Sequence, residues 1–252
     1  MHLERIMTLL ETVAVAGRPI SVSEIQQATA LPRPTCYRIL QTMTDHGLLD
    51  DKDGNLKYVL GNRLIRLALL GTSDIDVRHA AAPLMKEAAT KFGEAIFLSR
   101  FRNKQVEIIH VEIPADPRRS YFHPGLGRRP MHACSCSKAI AAFAENAFQE
   151  EILSGQMRAY TQHTKVTEAA LRQEFADILA RGYAECVEEI EIGVSSVAAP
   201  IQIRNMGAVF SVGAIGSIRK FTESHRMKVG RELKKLSNKI ASAIQLSNTT
   251  NL

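Results

Sequence analysis

Long apolar runs are missing from this chain. No stretch approaches the roughly 18 consecutive apolar residues that cross a bilayer, and the first 20 residues carry Glu4, Glu11 and Arg18 where a secretory signal has an uncharged apolar core. Neither a membrane partner nor a signal peptide is expected, and the cytoplasm is the expected compartment. Cysteine is scarce: four residues stand at 36, 134, 136 and 186, spaced like neither a disulfide framework nor paired CxxC zinc ligands. Packed, reduced thiols are the expectation, with no metal and no cofactor. The Cys134-Ser135-Cys136 step offers two thiols, but no second ligand pair follows it at metal spacing. Internal repeats and low-complexity tracts are also lacking, apart from a polar tail at 248–252. The remainder is ordinary globular composition, 45% hydrophobic and 23% charged over 252 residues. That excludes a disordered or collagen-like chain and suits one large domain or two modest ones.

The formal net charge of +6 suggests contact with an anionic partner. Its distribution matters more. Residues 1–76 hold 8 Lys and Arg against 9 Asp and Glu, a net of −1, so the rest of the chain carries +7. An argument for nucleic-acid binding by the amino-terminal segment must therefore rest on local geometry.

That geometry is legible. Leu3, Ile6, Met7, Leu10 and Val13 recur at helical spacing, and Gly17 and Pro19 end the helix. Ser21-Val22-Ser23-Glu24 has the pattern of a capping box, which predicts a short second helix stopping near Ala30 before Leu31-Pro32. A third helix is predicted from about Pro34 to about His46, with Gly47 ending it. Cys36, Ile39, Leu40 and Met43 share one face of it, leaving Arg33, Thr35, Tyr37, Arg38, Gln41 and Thr42 around the other. Two short apolar runs then flank Asp53-Gly54, a dipeptide that favours a tight hairpin. Helix, short helix, polar-faced helix and hairpin together read as a winged helix-turn-helix over 1–61. The candidate DNA contacts are Ser21, Arg33, Thr35, Tyr37, Arg38, Gln41, Thr42 and, on the wing, Lys57. Arg38 is the choice for a base edge because guanidinium pairs two-pronged with guanine, and Gln41 can serve adenine or a phosphate.

An apolar stretch with two arginines, 62–70, predicts a linker helix packed on a neighbouring subunit, with a hinge extending to 75. From 76 to 247 the pattern mixes types. A helix is predicted over Val77 to Phe92, and strands over Ala95 to Ser99 and Val106 to Val111, joined by a turn at Arg102 to Gln105. Helices follow at Ser137 to Ala144 and Glu168 to Ala180, then strands at Tyr183 to Glu188, Val194 to Ile203 and Ala208 to Ile215. The last helix, about Thr222 to Leu246, places Met227, Leu233, Leu236, Ile240 and Ile244 on one stripe and Lys228, Arg231, Lys234, Lys235 and Lys239 toward the other. The class is α+β, with an antiparallel sheet flanked by helices.

Two ordered motif sets resemble the IclR family of bacterial transcriptional regulators. The first runs from Ser21-Val22-Ser23-Glu24-Ile25 through Leu31-Pro32-Arg33-Pro34-Thr35-Cys36-Tyr37-Arg38-Ile39-Leu40 to Gly47-Leu48-Leu49 and Tyr58-Val59-Leu60-Gly61. The second contains Arg181-Gly182-Tyr183-Ala184, Glu188-Glu189, Gly193-Val194 and Ala198-Ala199-Pro200-Ile201; Gly127 to Cys134 with Lys138-Ala139 also fits. The resemblance implies a GAF-like carboxy-terminal effector domain and homodimers or homotetramers. It also implies binding to a pseudo-palindromic operator in double-stranded DNA, modulated by a small-molecule effector, often an organic or aromatic acid. Carried over by position, it assigns the effector pocket to Met131, Cys134, Ser135, Cys136, Cys186, Ser196, Ser211 and Gly213. Several positions depart from the family pattern: Cys186 stands where aspartate is usual, Ser196 where cysteine is frequent, Ser137 for glycine and Ala214-Ile215 for Gly-Pro. No catalytic role is expected. The alternatives are a cysteine enzyme using Cys134 or Cys136 with His132 as base, or a ligand-sensing scaffold that does not bind DNA.

Overall fold

The computed structural model describes residues 2–61, 63, 64, 67, 73–116, 122–144, 146–203 and 208–250. The chain forms two compact units, Met1–Gly71 and Thr72–Leu252. Of the predicted linker helix at 62–70, all but residues 63, 64 and 67 lies outside the described residues.

In the first unit, α1 (His2–Ala16), α2 (Val22–Thr29) and α3 (Arg33–Asp45) surround one small core. Leu9, Val13, Ile25, Cys36, Ile39, Leu40 and Met43 meet there with Leu49 and Tyr58. The hairpin is looser than the Asp53-Gly54 dipeptide predicts. β2 (Leu49–Asp51) and β3 (Lys57–Leu60) are joined by a 3-10 turn, Lys52–Gly54, because Gly54 and Leu56 take up the left-handed backbone that a two-residue turn would have concentrated at Asp53-Gly54. A two-residue strand, β1 (Ile20–Ser21), pairs with β3 and makes a three-stranded sheet of order β1-β3-β2. Two residues are too few to show a period of two.

The second unit is built on a six-stranded, wholly antiparallel sheet. Its strands are β4 (Ala95–Arg102), β5 (Gln105–Glu112), β6 (Gly127–Arg129), β7 (Ala184–Val187), β8 (Val194–Gln202) and β9 (Ala208–Ser217), in the order β6-β5-β4-β9-β8-β7. The β4–β5 turn at Asn103-Lys104 has positive φ at both residues, the geometry that continues strand twist through a two-residue hairpin. Helix α4 (Asp74–Phe92) and the long α8 (Glu223–Thr250) pack on one face of the sheet. Helix α5 (Ser135–Ala142) lies on the other, backed by α6 (Asn146–Leu153) and α7 (Glu168–Arg181). An α+β effector unit with helices on an antiparallel sheet is therefore what the chain builds.

Several boundaries differ from the sequence expectations. Helix α4 starts at Asp74, not Val77, because Ser73 caps it by accepting from the Asp76 amide at 3.2 Å. Helix α5 starts two residues earlier than expected, and β6, of 3 residues, and α6, of 8, are too short for a periodicity to stand out. Met227 leaves the α8 stripe: lying six residues before Leu233, it falls about 120° around the helix and is exposed, while Val229 takes the buried place. The expected polar tail instead continues α8 as far as Thr250.

Candidate DNA-reading face and effector site

Helix α2 begins where the hydroxyl of Ser21 accepts from the Glu24 amide at 3.4 Å, and the Glu24 carboxylate accepts from the Ser21 amide at 2.9 Å and hydroxyl at 2.7 Å. These bonds, with Arg18 at 2.7 Å, hold the Glu24 carboxyl down at about 2. The helix ends at Ala30, whose left-handed backbone (φ 54) turns the chain through Leu31-Pro32 into α3. Pro34 occupies the first turn of α3, where its missing amide proton costs nothing. At the far end Gly47, with φ +67, reverses the chain while the Leu48 amide donates to the Met43 carbonyl at 2.8 Å.

Burial of Cys36, Ile39, Leu40 and Met43 fixes the rotation of α3 and so decides which side chains face solvent. Arg33, Tyr37, Arg38, Gln41 and Thr42 are exposed, and Thr35 is half-buried. They are not equally free. Gln41 donates its amide to Asp45 at 2.9 Å, the Thr42 hydroxyl bonds back to the Arg38 carbonyl at 2.9 Å, and the Ser21 hydroxyl is spent in the cap. Among the described residues, no hydrogen bond or ion pair engages the side chains of Arg33, Tyr37, Arg38 or Lys57. Lys57 is exposed on β3, the wing.

In the second unit the residues assigned to an effector converge on the start of α5. Cys134 caps α5 with extended backbone, and its sulfur lies 3.3 Å from that of Cys136. The Ser135 hydroxyl pairs with that of Ser196 on β8 at 2.7 Å, and Ser211 on β9 pairs with Ser99 on β4 at 2.6 Å. Cys186 sits opposite Ser196 in the β7–β8 register. Burial pushes its thiol up to about 12, so this position carries no charge where an aspartate would carry one. All seven of these residues are buried. Ser99 was not legible beforehand, because only the β4–β9 pairing brings it opposite Ser211.

Gly213 has a different place. It lies opposite Phe97 in the β4–β9 register, and a side-chain carbon there would run into the Phe97 ring and lie 2.6 Å from the Val197 carbonyl oxygen. Its role in this structure is to make room for Phe97. Met131 also stands apart, on the wall of a cleft of about 320 Å3 shared with His132, Phe148, Met157, Arg158 and Tyr160. The His132 ring bonds the Arg158 carbonyl at 2.9 Å and stacks on Tyr160, so it engages neither thiol as a base would.

Under α5 lies a charged cluster that composition could not reveal. Lys138, fully buried, sits 2.6 Å from Glu189 and 3.6 Å from Glu174; Lys165 and Arg181 reach Glu174 at 2.5 and 2.8 Å. Burial would push the Glu174 carboxyl up, but Lys138, Lys165 and Arg181 together hold it below the ordinary carboxylate value. Among the described residues no group of three His, Cys, Asp or Glu is arranged to hold a metal ion, and no helix is long and apolar enough to cross a membrane.

Comparison with known proteins gives this geometry its context. The IclR helix-turn-helix domain matches residues 2–52, and the bacterial transcriptional regulator IclR C-terminal domain matches residues 70–242. The glycerol operon regulatory protein of Streptomyces coelicolor is 30% identical over 230 residues, covering 90% of this chain and 88% of that one. The transcriptional repressor IclR of Escherichia coli is 24% identical over 246 residues, covering 96% and 89%. The crystal structure of Thermotoga maritima IclR aligns with a TM-score of 0.61 at 24% identity, covering 96% and 98%. An IclR homolog from Microbacterium hydrocarbonoxydans, solved in complex with 4-hydroxybenzoate, aligns with a TM-score of 0.61 at 25% identity, covering 98% and 100%. The Streptomyces and Escherichia coli relatives are both named as regulators. An amino-terminal helix-turn-helix with a winged hairpin, followed by an effector domain on an antiparallel sheet, makes this chain a DNA-binding member of the IclR family of bacterial transcriptional regulators.

Proposed function

We propose that two copies of this chain read a pseudo-palindromic operator through α3, and that a small organic or aromatic acid bound at the start of α5 changes that binding. The observation that carries the first part is the outer face of α3. Arg33, Tyr37 and Arg38 are presented to solvent with no hydrogen-bond or ion-pair partner among the described residues, on a helix whose opposite face is locked into the core. Arg38 supplies the base-edge contact, two-pronged to guanine. Arg33, Thr35 and Tyr37 hold phosphate, and Lys57 touches the adjoining backbone. Gln41, Thr42 and Ser21 contribute only after giving up their present partners, which makes them weaker candidates than Arg38. Because the amino-terminal segment carries a net charge of −1, its cations must converge on one face, and two half-sites must be engaged together.

Chemistry supports the acid. The start of α5 directs backbone amides at the Ser135–Ser137 turn, the Ser135–Ser196 and Ser99–Ser211 hydroxyl pairs can re-donate to a carboxylate, and Cys186 removes a fixed negative charge. The 4-hydroxybenzoate complex of the Microbacterium homolog points to the same class of ligand. The test begins with selection of a bound duplex from random DNA, followed by fluorescence anisotropy at two salt concentrations. Arg38→Ala is expected to weaken the selected duplex by roughly tenfold to a hundredfold, the range of one two-pronged base contact, while leaving random-sequence binding nearly intact. Equal affinity of the variant and the parent for the selected duplex would remove Arg38 from the reading head. A thermal-shift screen of organic acids, repeated on Ser135→Ala and Ser196→Ala, tests the effector site; an acid whose binding survives both variants binds elsewhere.

A further inference from the structure

We propose that Cys134 and Cys136 form a redox-active thiol pair, a modification site at the amino-terminal turn of α5 that hydroperoxides convert to an intramolecular disulfide. Three of the four cysteines lie in this unit, but only these two touch. Their sulfurs are 3.3 Å apart, so a bond of about 2.05 Å needs an approach of little more than 1 Å. Cys134 is the extended cap (φ −82, ψ 139) and Cys136 belongs to the first helical turn, so the two side chains project toward each other across a single residue. In a regular strand, side chains two apart share a face but run parallel, and on a helix they diverge; the change from extended to helical backbone at Cys134 is what brings the sulfurs together.

The surroundings divide the roles. Burial pushes the Cys136 thiol up, but hydrogen bonds with Cys134 and Ser137 and the charge of Arg129 bring it below its ordinary value. Cys134, bonded to Cys136 and buried, is pushed well above. Cys136 is therefore the attacking thiolate and Cys134 the resolving thiol. Buried thiols are usually inert for want of access; Cys134 keeps 7% exposure beside the fully buried Cys136, so the oxidant meets the pair from the Cys134 side. Met131 and His132, on the wall of the cleft, precede Cys134 in the chain, and Met131 packs against the same apolar cluster as both cysteines, although neither cysteine lines the cleft. Hydrogen peroxide, small and neutral, is the oxidant best suited to a pair with so little exposure.

In the first step the Cys136 thiolate attacks the terminal oxygen of the hydroperoxide. The S–O bond forms as the O–O bond breaks, and the departing alkoxide, or hydroxide, takes up the proton that the Cys136 thiol had released. Cys136 is now a sulfenic acid. The Cys134 sulfur then attacks the Cys136 sulfur; the S–S bond forms, the S–O bond breaks, and the leaving hydroxide removes the Cys134 proton as water. Two thiols and one hydroperoxide give one disulfide, one water and one alcohol, or a second water when the oxidant is hydrogen peroxide. Because Ser135 stands between the two cysteines in the chain, the oxidation falls within the proposed effector site, although the chemistry itself does not depend on that reading.

The folded full chain is treated with hydrogen peroxide, unfolded in the presence of N-ethylmaleimide, and mapped by peptide mass. The expected product is a peptide spanning 134–136 that is two hydrogens lighter and resists alkylation, is restored by dithiothreitol, and coexists with alkylated Cys36 and Cys186. Cys134→Ser is expected to stop at a Cys136 sulfenic acid that dimedone traps, and Cys136→Ser to leave Cys134 as a free thiol. The proposal is overturned if both thiols stay reduced at a dose that oxidises a free cysteine peptide. It is equally overturned if Cys136 passes to sulfinic acid without forming a disulfide, or if the disulfide joins either residue to Cys186. The parent protein alone decides these outcomes, so a variant that failed to fold would not shield the claim.

Discussion

Lys138→Met is the sharpest test of how the effector unit is held together. Lys138 is fully buried under α5 with its ammonium 2.6 Å from Glu189 and 3.6 Å from Glu174. Methionine keeps most of the length of the stem and removes only the charge. Glu174 would still have Lys165 at 2.5 Å and Arg181 at 2.8 Å, but Glu189, 3% exposed, would keep only Lys165 at 3.8 Å among the described residues. The damage therefore concentrates on one stranded carboxylate, and removing one partner of a buried pair costs about 3–5 kcal/mol. For a unit of this size that corresponds to a fall of roughly 6–20 °C in melting temperature. The assay is urea and thermal unfolding followed by circular dichroism, with Glu189→Gln and the double variant completing the cycle. Neutralising Glu189 as well is expected to restore most of the loss, since the penalty is the unpaired charge and not the missing bond. A loss below about 1 kcal/mol for Lys138→Met, or strictly additive single variants, would refute the account of the cluster as mutually dependent charges.

Other outcomes follow from the same structure. Gly213→Ala is expected to cost about 1–3 kcal/mol, because the new carbon meets the Phe97 ring and the Val197 carbonyl; Phe97→Leu should recover part of it, and a neutral Gly213→Ala in the same unfolding assay would show that Phe97 does not fill that space. The folded-state carboxyls of Glu24 and Glu174 lie below their ordinary value of 4.5, so both bind fewer protons folded than unfolded. Their stabilisation is complete above about pH 4.5 and is lost as pH falls through the folded values, about 2 for Glu24. Glu24→Gln should flatten that acid loss in the amino-terminal unit, and an unchanged pH profile of its melting would count against the capping box as the source. For Lys165, burial works downward but Glu189 and Glu174 raise the value above 10.5, so its contribution holds below that pH and fades as pH rises further.

Much of the reading head was legible because local rules decide it. The capping box at Ser21, the proline in the first turn of α3 and the apolar spacing of Cys36, Ile39, Leu40 and Met43 act within a few residues of themselves, and each appears in the structure where the pattern placed it. The hairpin was half legible. Strand propensity marked β2 and β3, but the turn depended on which residues adopt left-handed backbone, and β1 exists only because β3 is beside it. Met227 shows the limit of a stripe drawn by eye, since the helix angle and not hydrophobicity alone decides which side chain is covered.

The amino-acid sequence by itself determined the two-part organisation, the alternation of helix and strand, and the polar face of α3, because each arises from contacts between residues near in the chain. The sheet order β6-β5-β4-β9-β8-β7 was decided only in three dimensions. With it came the pairing of Ser99 with Ser211, the contact of Ser135 with Ser196, the burial of Lys138 against Glu189 and the placing of Gly213 against Phe97. Those partners stand far apart in sequence, and no local preference encodes which strands will lie side by side. Burial then turns such encounters into strong constraints, since a polar group removed from water must find its partner inside the fold.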